Sequence, residues 1–85
     1  MSYKVTLKKS VLRDLKRISK AEANRILKKI EKDLSEKADS FPVLTGKFAF
    51  LRKYRSGDYS VIYTIVGQNV IILRIRHRRE VYRNK

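Results

Sequence analysis

The chain has no cysteine and only one histidine. Disulfides and thiolate metal ligands are therefore excluded, and a zinc or haem site would find almost nothing to coordinate it. Acidic residues are scarce, eight against 22 lysines and arginines. No carboxylate pair or cluster stands out, which argues against a metal-dependent nuclease, and neither a metal nor a cofactor is expected. No Gly-rich phosphate loop of either common type occurs. No apolar run approaches the 18 or so residues that span a bilayer, and the N-terminus lacks a signal-peptide apolar region. The cytoplasm is the expected compartment and a membrane is not an expected partner. No internal repeat or low-complexity stretch breaks the chain.

What the chain does have is positive charge. Its formal net charge is +14 with a pI near 10.5, in only 85 residues. A field of that strength draws in polyanions, nucleic acid first and acidic protein partners second; a merely solvated surface is the plainer alternative. The length makes one domain, residues 1–85. At this size about 60–65% of the unfolded chain's surface is buried, so the core is thin. The 42% hydrophobic content still supports a packed fold.

The periodicity changes once along the chain. Tyr3, Val5 and Leu7 alternate with polar residues and read as a short strand. Ser10 stands where a helix N-cap would be, and Val11, Leu12, Leu15 and Ile18 form an apolar stripe. Ser19 caps a second helix, with Ala23, Ile26, Leu27, Ile30 and Leu34 continuing the helical period to about residue 37. The pair predicts a helical hairpin. Residues 38–46 carry the single proline and a glycine and read as a loop. Beyond it the period becomes two, with strand-like runs at Lys47–Tyr54, Tyr59–Val66 and Val70–Arg76. Compact turns around Gly57 and Gly67 join them into an antiparallel meander. The expected fold is α+β, a two-layer β-α-α-β-β-β domain with the helical hairpin packed on an antiparallel sheet. Where the first strand joins is not readable from periodicity.

One face of such a sheet stays uncovered. Along the last strand Ile71, Leu73 and Ile75 suit the core, which assigns Val70, Ile72, Arg74 and Arg76 to the open face. With a two-residue turn after Val66, Tyr59, Val61 and Tyr63 share that face, Ser60 opposes Ile75 and Tyr59 opposes Arg76. Aromatic rings beside arginines suit single-stranded RNA, which offers bases to stack and phosphates to hold. The run 74–85 adds six cations, a histidine and a tyrosine. Scission of RNA by its own 2′-hydroxyl needs a proton acceptor, a proton donor and a cationic clamp. Histidine, lysine, tyrosine and arginine supply all of these without a metal.

Three segments together resemble the RelE/ParE toxin superfamily: Leu44-Thr-Gly46, Arg55-Ser-Gly-Asp-Tyr-Ser-Val-Ile-Tyr63 and His77-Arg-Arg-Glu-Val-Tyr82. The element order resembles it over nearly the whole chain. The resemblance implies the toxin of a type II toxin–antitoxin system, a ribosome-dependent mRNA endoribonuclease restrained by a cognate acidic, RelB-like antitoxin. It implies no metal or cofactor, and the ribosome and mRNA as partners. The ParE branch poisons DNA gyrase instead, and a catalytically impaired RNA-binding member is a third reading. The context Glu80-Val81-Tyr82 favours the RelE side. Carried over residue by residue, Lys53 is a candidate base or phosphate clamp and Tyr82 a base-stacking or proton-relay group. Arg76 is a candidate clamp, and His77 is either catalytic or a packing and capping residue. Arg52, Arg55, Tyr59, Arg74, Arg78, Arg79 and Arg83 are candidate RNA contacts. The family commonly has arginine after the Gly-Asp-Tyr tyrosine, where this chain has Ser60. The expectation drawn from this departure is a clamp relocated to Arg76.

Overall fold

The computed structural model describes residues 2–79. Its elements are a strand Lys4–Leu7 (β1), helices Lys9–Lys16 (α1) and Lys20–Lys37 (α2), and strands Arg52–Ser56 (β2), Tyr59–Val66 (β3) and Asn69–His77 (β4). The expected order of elements and the α+β class are therefore observed. Ser19 caps α2 as its position predicts, its hydroxyl accepting the Glu22 N–H at 3.3 Å, which satisfies one of the helix's orphan donors. Ile26, Ile30 and Leu34 then turn one face of α2 into the core.

Other local expectations are corrected. The N-cap of α1 is Lys8, with no side-chain bond, and Ser10 lies inside the first turn, where its hydroxyl donates to the Leu73 carbonyl at 2.7 Å. The run predicted as a strand from Lys47 begins only at Arg52, because Gly46–Phe48 form a 3₁₀ turn with Gly46 at φ 68°. That left-handed conformation is open to glycine and strained for most other residues. A second 3₁₀ turn, Ala38–Ser40, follows α2 directly.

The sheet order is β1-β4-β3-β2. β2, β3 and β4 form the expected meander through two-residue turns, and β1 pairs parallel with β4, making the sheet mixed rather than purely antiparallel. The core joins Val11, Ile26, Ile30, Leu34 and Ala38 to Tyr54, Val61, Tyr63, Val70, Ile72 and Ile75. Complete burial of such aliphatic side chains contributes on the order of 1.5–3 kcal/mol each. Tyr63 is fully buried, and its hydroxyl donates to the Ala38 carbonyl at 2.5 Å. Burial, chiefly, pushes its pKa up to about 12.

β4 does not alternate as a regular strand. Tyr63 pairs with Ile72 but Ile62 pairs with Arg74, leaving Leu73 as the extra residue of a β-bulge. The bulge reverses which residues face the helices. Val70 and Ile72 are buried before it, and Ile75 after it. The sequence reading, which put Ile71, Leu73 and Ile75 inward, is thus corrected on the N-terminal side of the bulge. Tyr59, Val61 and Tyr63 likewise belong to the helix-covered layer, where Val61 and Tyr63 are fully buried and Tyr59 packs against the core.

The bulge is held by α1. β1 pairs only with residues 69–72 of β4, so the backbone edge from Leu73 onward lacks a strand neighbour on that side. Ser10 takes the Leu73 carbonyl, and the buried Asp14 carboxylate accepts the Ile75 N–H at 2.9 Å. The same carboxylate accepts Arg74 Nε at 2.9 Å and Nη2 at 3.1 Å, a two-pronged pair. Burial by itself would raise the pKa of Asp14. The hydrogen bonds from Arg74 and Ile75, with the charges of Arg74 and Arg76, outweigh it and leave the pKa lowered.

Asp14→Ala should lower stability by about 1–3 kcal/mol, since it leaves a buried N–H without its acceptor. Because folding lowers this pKa, the contribution is complete above the ordinary carboxylate value of about 4 and fades as pH falls below it. Urea unfolding at pH 7 and pH 3 should therefore show a gap between wild type and Asp14→Asn that narrows in acid. A gap that is constant or widens in acid would contradict this role for the Asp14 carboxylate.

Candidate functional site

Directly paired residues on neighbouring strands project from the same face of a sheet. On the face away from the helices this rule defines two adjacent rows. One runs Lys53–Ile62–Arg74 and the next runs Arg55–Ser60–Arg76. The bulge at Leu73 is what brings Arg74 and Arg76 into them. It also moves Ser60, which opposes Arg76 rather than Ile75, while Tyr59 opposes His77. Ser60 is therefore on the open side and not turned toward the helices. It is only 5% exposed, lying between two arginines that are its direct cross-strand neighbours.

The cations of these rows differ in their commitments. Arg74 is tied to Asp14. Among the described residues Lys53, Arg55 and Arg76 form no salt bridge, and Arg55 is exposed. In the strand register Ser60 is thus flanked by Arg55 and Arg76, with Lys53 in the next row, a set of cations that a phosphate would neutralise.

The other sequence-derived candidates are placed elsewhere. Arg52 lies in the layer facing the helices, where its Nη1 donates to the carbonyls of Phe41, at 2.6 Å, and Asp39, at 3.3 Å. It clamps the loop that follows α2. Tyr59 and His77 meet edge to face, ring centroids 5.0 Å apart. His77 Nδ1 accepts the Arg79 N–H at 3.1 Å. His77 opposes Tyr59, on the other face of the sheet from the adjacent pair Ser60–Arg76. Arg78 and Arg79 are exposed, and the Arg78 backbone N–H donates to the Asp58 carbonyl at 2.7 Å. Tyr82 and Arg83 lie outside the described residues.

Sequence reasoning missed Asp14, although a signal existed: an acid stands within the apolar stripe Val11, Leu15, Ile18 at helical spacing. It also missed Asp33, whose carboxylate accepts the Tyr54 hydroxyl. Burial, then this bond and the charge of Asp33, drive the Tyr54 pKa upward. Among the described residues no helix is long and apolar enough to cross a membrane. No set of three or more histidine, aspartate or glutamate side chains is grouped there as metal ligands would be.

With this geometry the chain can be compared with known proteins. The family model of the ParE toxin of type II toxin–antitoxin systems (parDE) matches residues 5–82. The chain belongs to this family, within the RelE/ParE superfamily. It is a toxin of a type II toxin–antitoxin system. The toxin–antitoxin complex RelBE2 of Mycobacterium tuberculosis superposes with a TM-score of 0.86 at 26% identity, over 92% of this chain and 93% of that one. The archaeal RelE–RelB complex of Pyrococcus horikoshii OT3 gives 0.67 at 30% identity, covering 92% and 97%. A chromosomal ParDE system of Pseudomonas aeruginosa shares the fold, with a TM-score of 0.70 at 17% identity over 89% and 96%. Comparison by sequence with the curated proteins gives no match.

Charge alone supplies a test of the two arginine classes. Arg55→Ala should elute earlier from a heparin column and show a salt slope shallower by about one unit. Arg52→Ala should instead lower the melting temperature and leave the slope nearly as it was. Equal slopes for Arg55→Ala and wild type would remove Arg55 from the polyanion surface.

Proposed function

We propose that this toxin is a ribosome-dependent mRNA endoribonuclease whose reacting phosphate sits on the row Arg55–Ser60–Arg76. The observation that carries this reading is the pairing of Ser60 between those two arginines. The arginine that the family commonly has at the Ser60 position is supplied from the adjacent strand by Arg76. Arg76 and Arg55 stabilise the extra negative charge of the pentavalent phosphate, and the Ser60 hydroxyl offers it a hydrogen bond. In the reaction the 2′-oxygen bonds to phosphorus while the bond to the 5′-oxygen breaks. Lys53, one row away, is the candidate acceptor of the 2′-hydroxyl proton, and Tyr82 the candidate donor to the leaving oxygen. Positioning of the message by ribosomal RNA makes the reaction fast, and free RNA is a poor substrate.

The partner in the resting state is a cognate antitoxin, as in the toxin–antitoxin complexes that this chain resembles, and the net charge of +14 calls for an acidic one. A segment of opposite charge wrapped on the domain would neutralise the cationic face. The matching family model is that of ParE, which favours a second reading, a gyrase poison acting on a protein–DNA target. The likeness to the RelBE2 complex, at a TM-score of 0.86 and 26% identity, supports the first.

In a reconstituted translation reaction the protein should cut mRNA, and Arg76→Ala should lower single-turnover cleavage about 100-fold or more, with little change in melting temperature. Ser60→Ala should have a small effect. A silent Arg76→Ala with a large gain from Ser60→Arg would mean that the clamp is impaired and not relocated. Intact mRNA together with markers of chromosomal damage on expression would establish the gyrase reading instead.

A further inference from the structure

A hollow of about 410 Å³ opens at the free edge of β2, lined by Phe41, Pro42, Lys53, Tyr54 and Arg55. Its walls are unlike one another. Phe41 and Tyr54 meet edge to face with ring centroids 5.0 Å apart, and with Pro42 they make an apolar side. Lys53 and Arg55 make the opposite side, and both belong to the cationic rows of the open face. The apolar wall is held in place from two directions. Arg52 donates to the Phe41 carbonyl at 2.6 Å, and the Lys53 N–H donates to the Pro42 carbonyl at 3.0 Å.

We infer that this hollow is a nucleobase pocket of the RNA path, in which Phe41 and Pro42 take the face of one base while Lys53 and Arg55 hold its flanking phosphates. The inference rests on the proposed RNA substrate and adds to it a source of sequence preference. Rings beside cations are what single-stranded RNA requires, since every base has a π-face and every linkage a charge. The size falls within the usual range for small-ligand sites. The backbone of Arg55 adds polar groups: two residues on from Lys53, its N–H and C=O turn toward the same free edge and can meet the rim of a base. An acidic peptide added as a further strand fits less well. Lys53 already spends its outward N–H on Pro42, and Arg52 bridges to Val43, so little open edge is left to pair with an incoming strand.

The test compares short single-stranded RNA with the same strand carrying one abasic residue, which keeps the phosphates and removes the base. Wild type should bind the intact strand roughly 10-fold tighter when the abasic position is scanned across the site, as expected for one base stacked on an aromatic wall. Phe41→Leu should bring that discrimination below about twofold, at an unchanged salt slope, and Phe41→Tyr should restore it. Pro42 is exposed, so Pro42→Ser disturbs no core packing and should remove part of the discrimination even if Phe41→Leu fails to fold. Full discrimination in both Phe41→Leu and Pro42→Ser would overturn the pocket. So would variants that bind RNA normally but lose affinity for the antitoxin, because the hollow would then belong to the protein partner. Cleavage of mRNA on the ribosome without any base discrimination at the hollow would refute the pocket and leave the endoribonuclease reading intact. Absence of both cleavage and RNA binding would refute the two together.

Discussion

The Asp14 carboxylate, accepting the Ile75 N–H and both prongs of Arg74, is the contact on which the arrangement of the cationic face depends. Val70 and Ile72 point into the core. Had β4 continued as a regular strand, Arg74 and Arg76 would point there too, and an unpaired guanidinium in an apolar core costs several kcal/mol. The extra residue at Leu73 reverses the alternation, sends Ile75 inward and both arginines outward. A bulge interrupts the hydrogen-bond ladder, however, and β1 is too short to cover the interrupted edge. α1 takes the place of the missing strand, offering Ser10 to the carbonyl at Leu73 and Asp14 to the N–H at Ile75. One helix thereby closes an edge and fixes the cations of the neighbouring face.

This division separates two kinds of cation on a chain with few acids to balance them. Arg52 and Arg74 are bound to groups of the protein itself, the first to loop carbonyls and the second to Asp14. Among the described residues Lys53, Arg55 and Arg76 form no salt bridge. Net charge of +14 on a thin core lowers stability through self-repulsion, so any polyanion that covers the face also relieves it. A ligand that binds only the folded state stabilises it by linkage, so an antitoxin that carried negative charge would add to the stability of this fold.

Ser60 illustrates how a single substitution must be read through the sheet. Taken alone it offers a hydroxyl and no charge. In the register of β3 and β4 it leaves a small, buried hydroxyl between two cross-strand arginines. A longer cation at that position would be crowded by like charges on both sides, and a serine is not.

Much of the architecture was legible in the residues by themselves. The shift from a 3.6 to a 2.0 period separates helices from strands, Ser19 marks the start of α2, and Gly57 and Gly67 mark the hairpins. These are local properties: a capping hydroxyl or a positive φ acts within a few residues. The motifs around Tyr59 and His77 were sufficient to suggest the toxin superfamily. Which residues share a face was not legible. Val70-Ile-Ile-Leu73 is apolar at every position, so alternation cannot mark the inward side, and a one-residue bulge reverses every assignment beyond it. The parallel pairing of β1 with β4, the inward turn of Arg52 and the opposition of Ser60 to Arg76 are likewise products of long-range packing. Asp14 and Ile75 are 61 residues apart in the chain, and only the folded sheet, with α1 laid along its edge, brings them together.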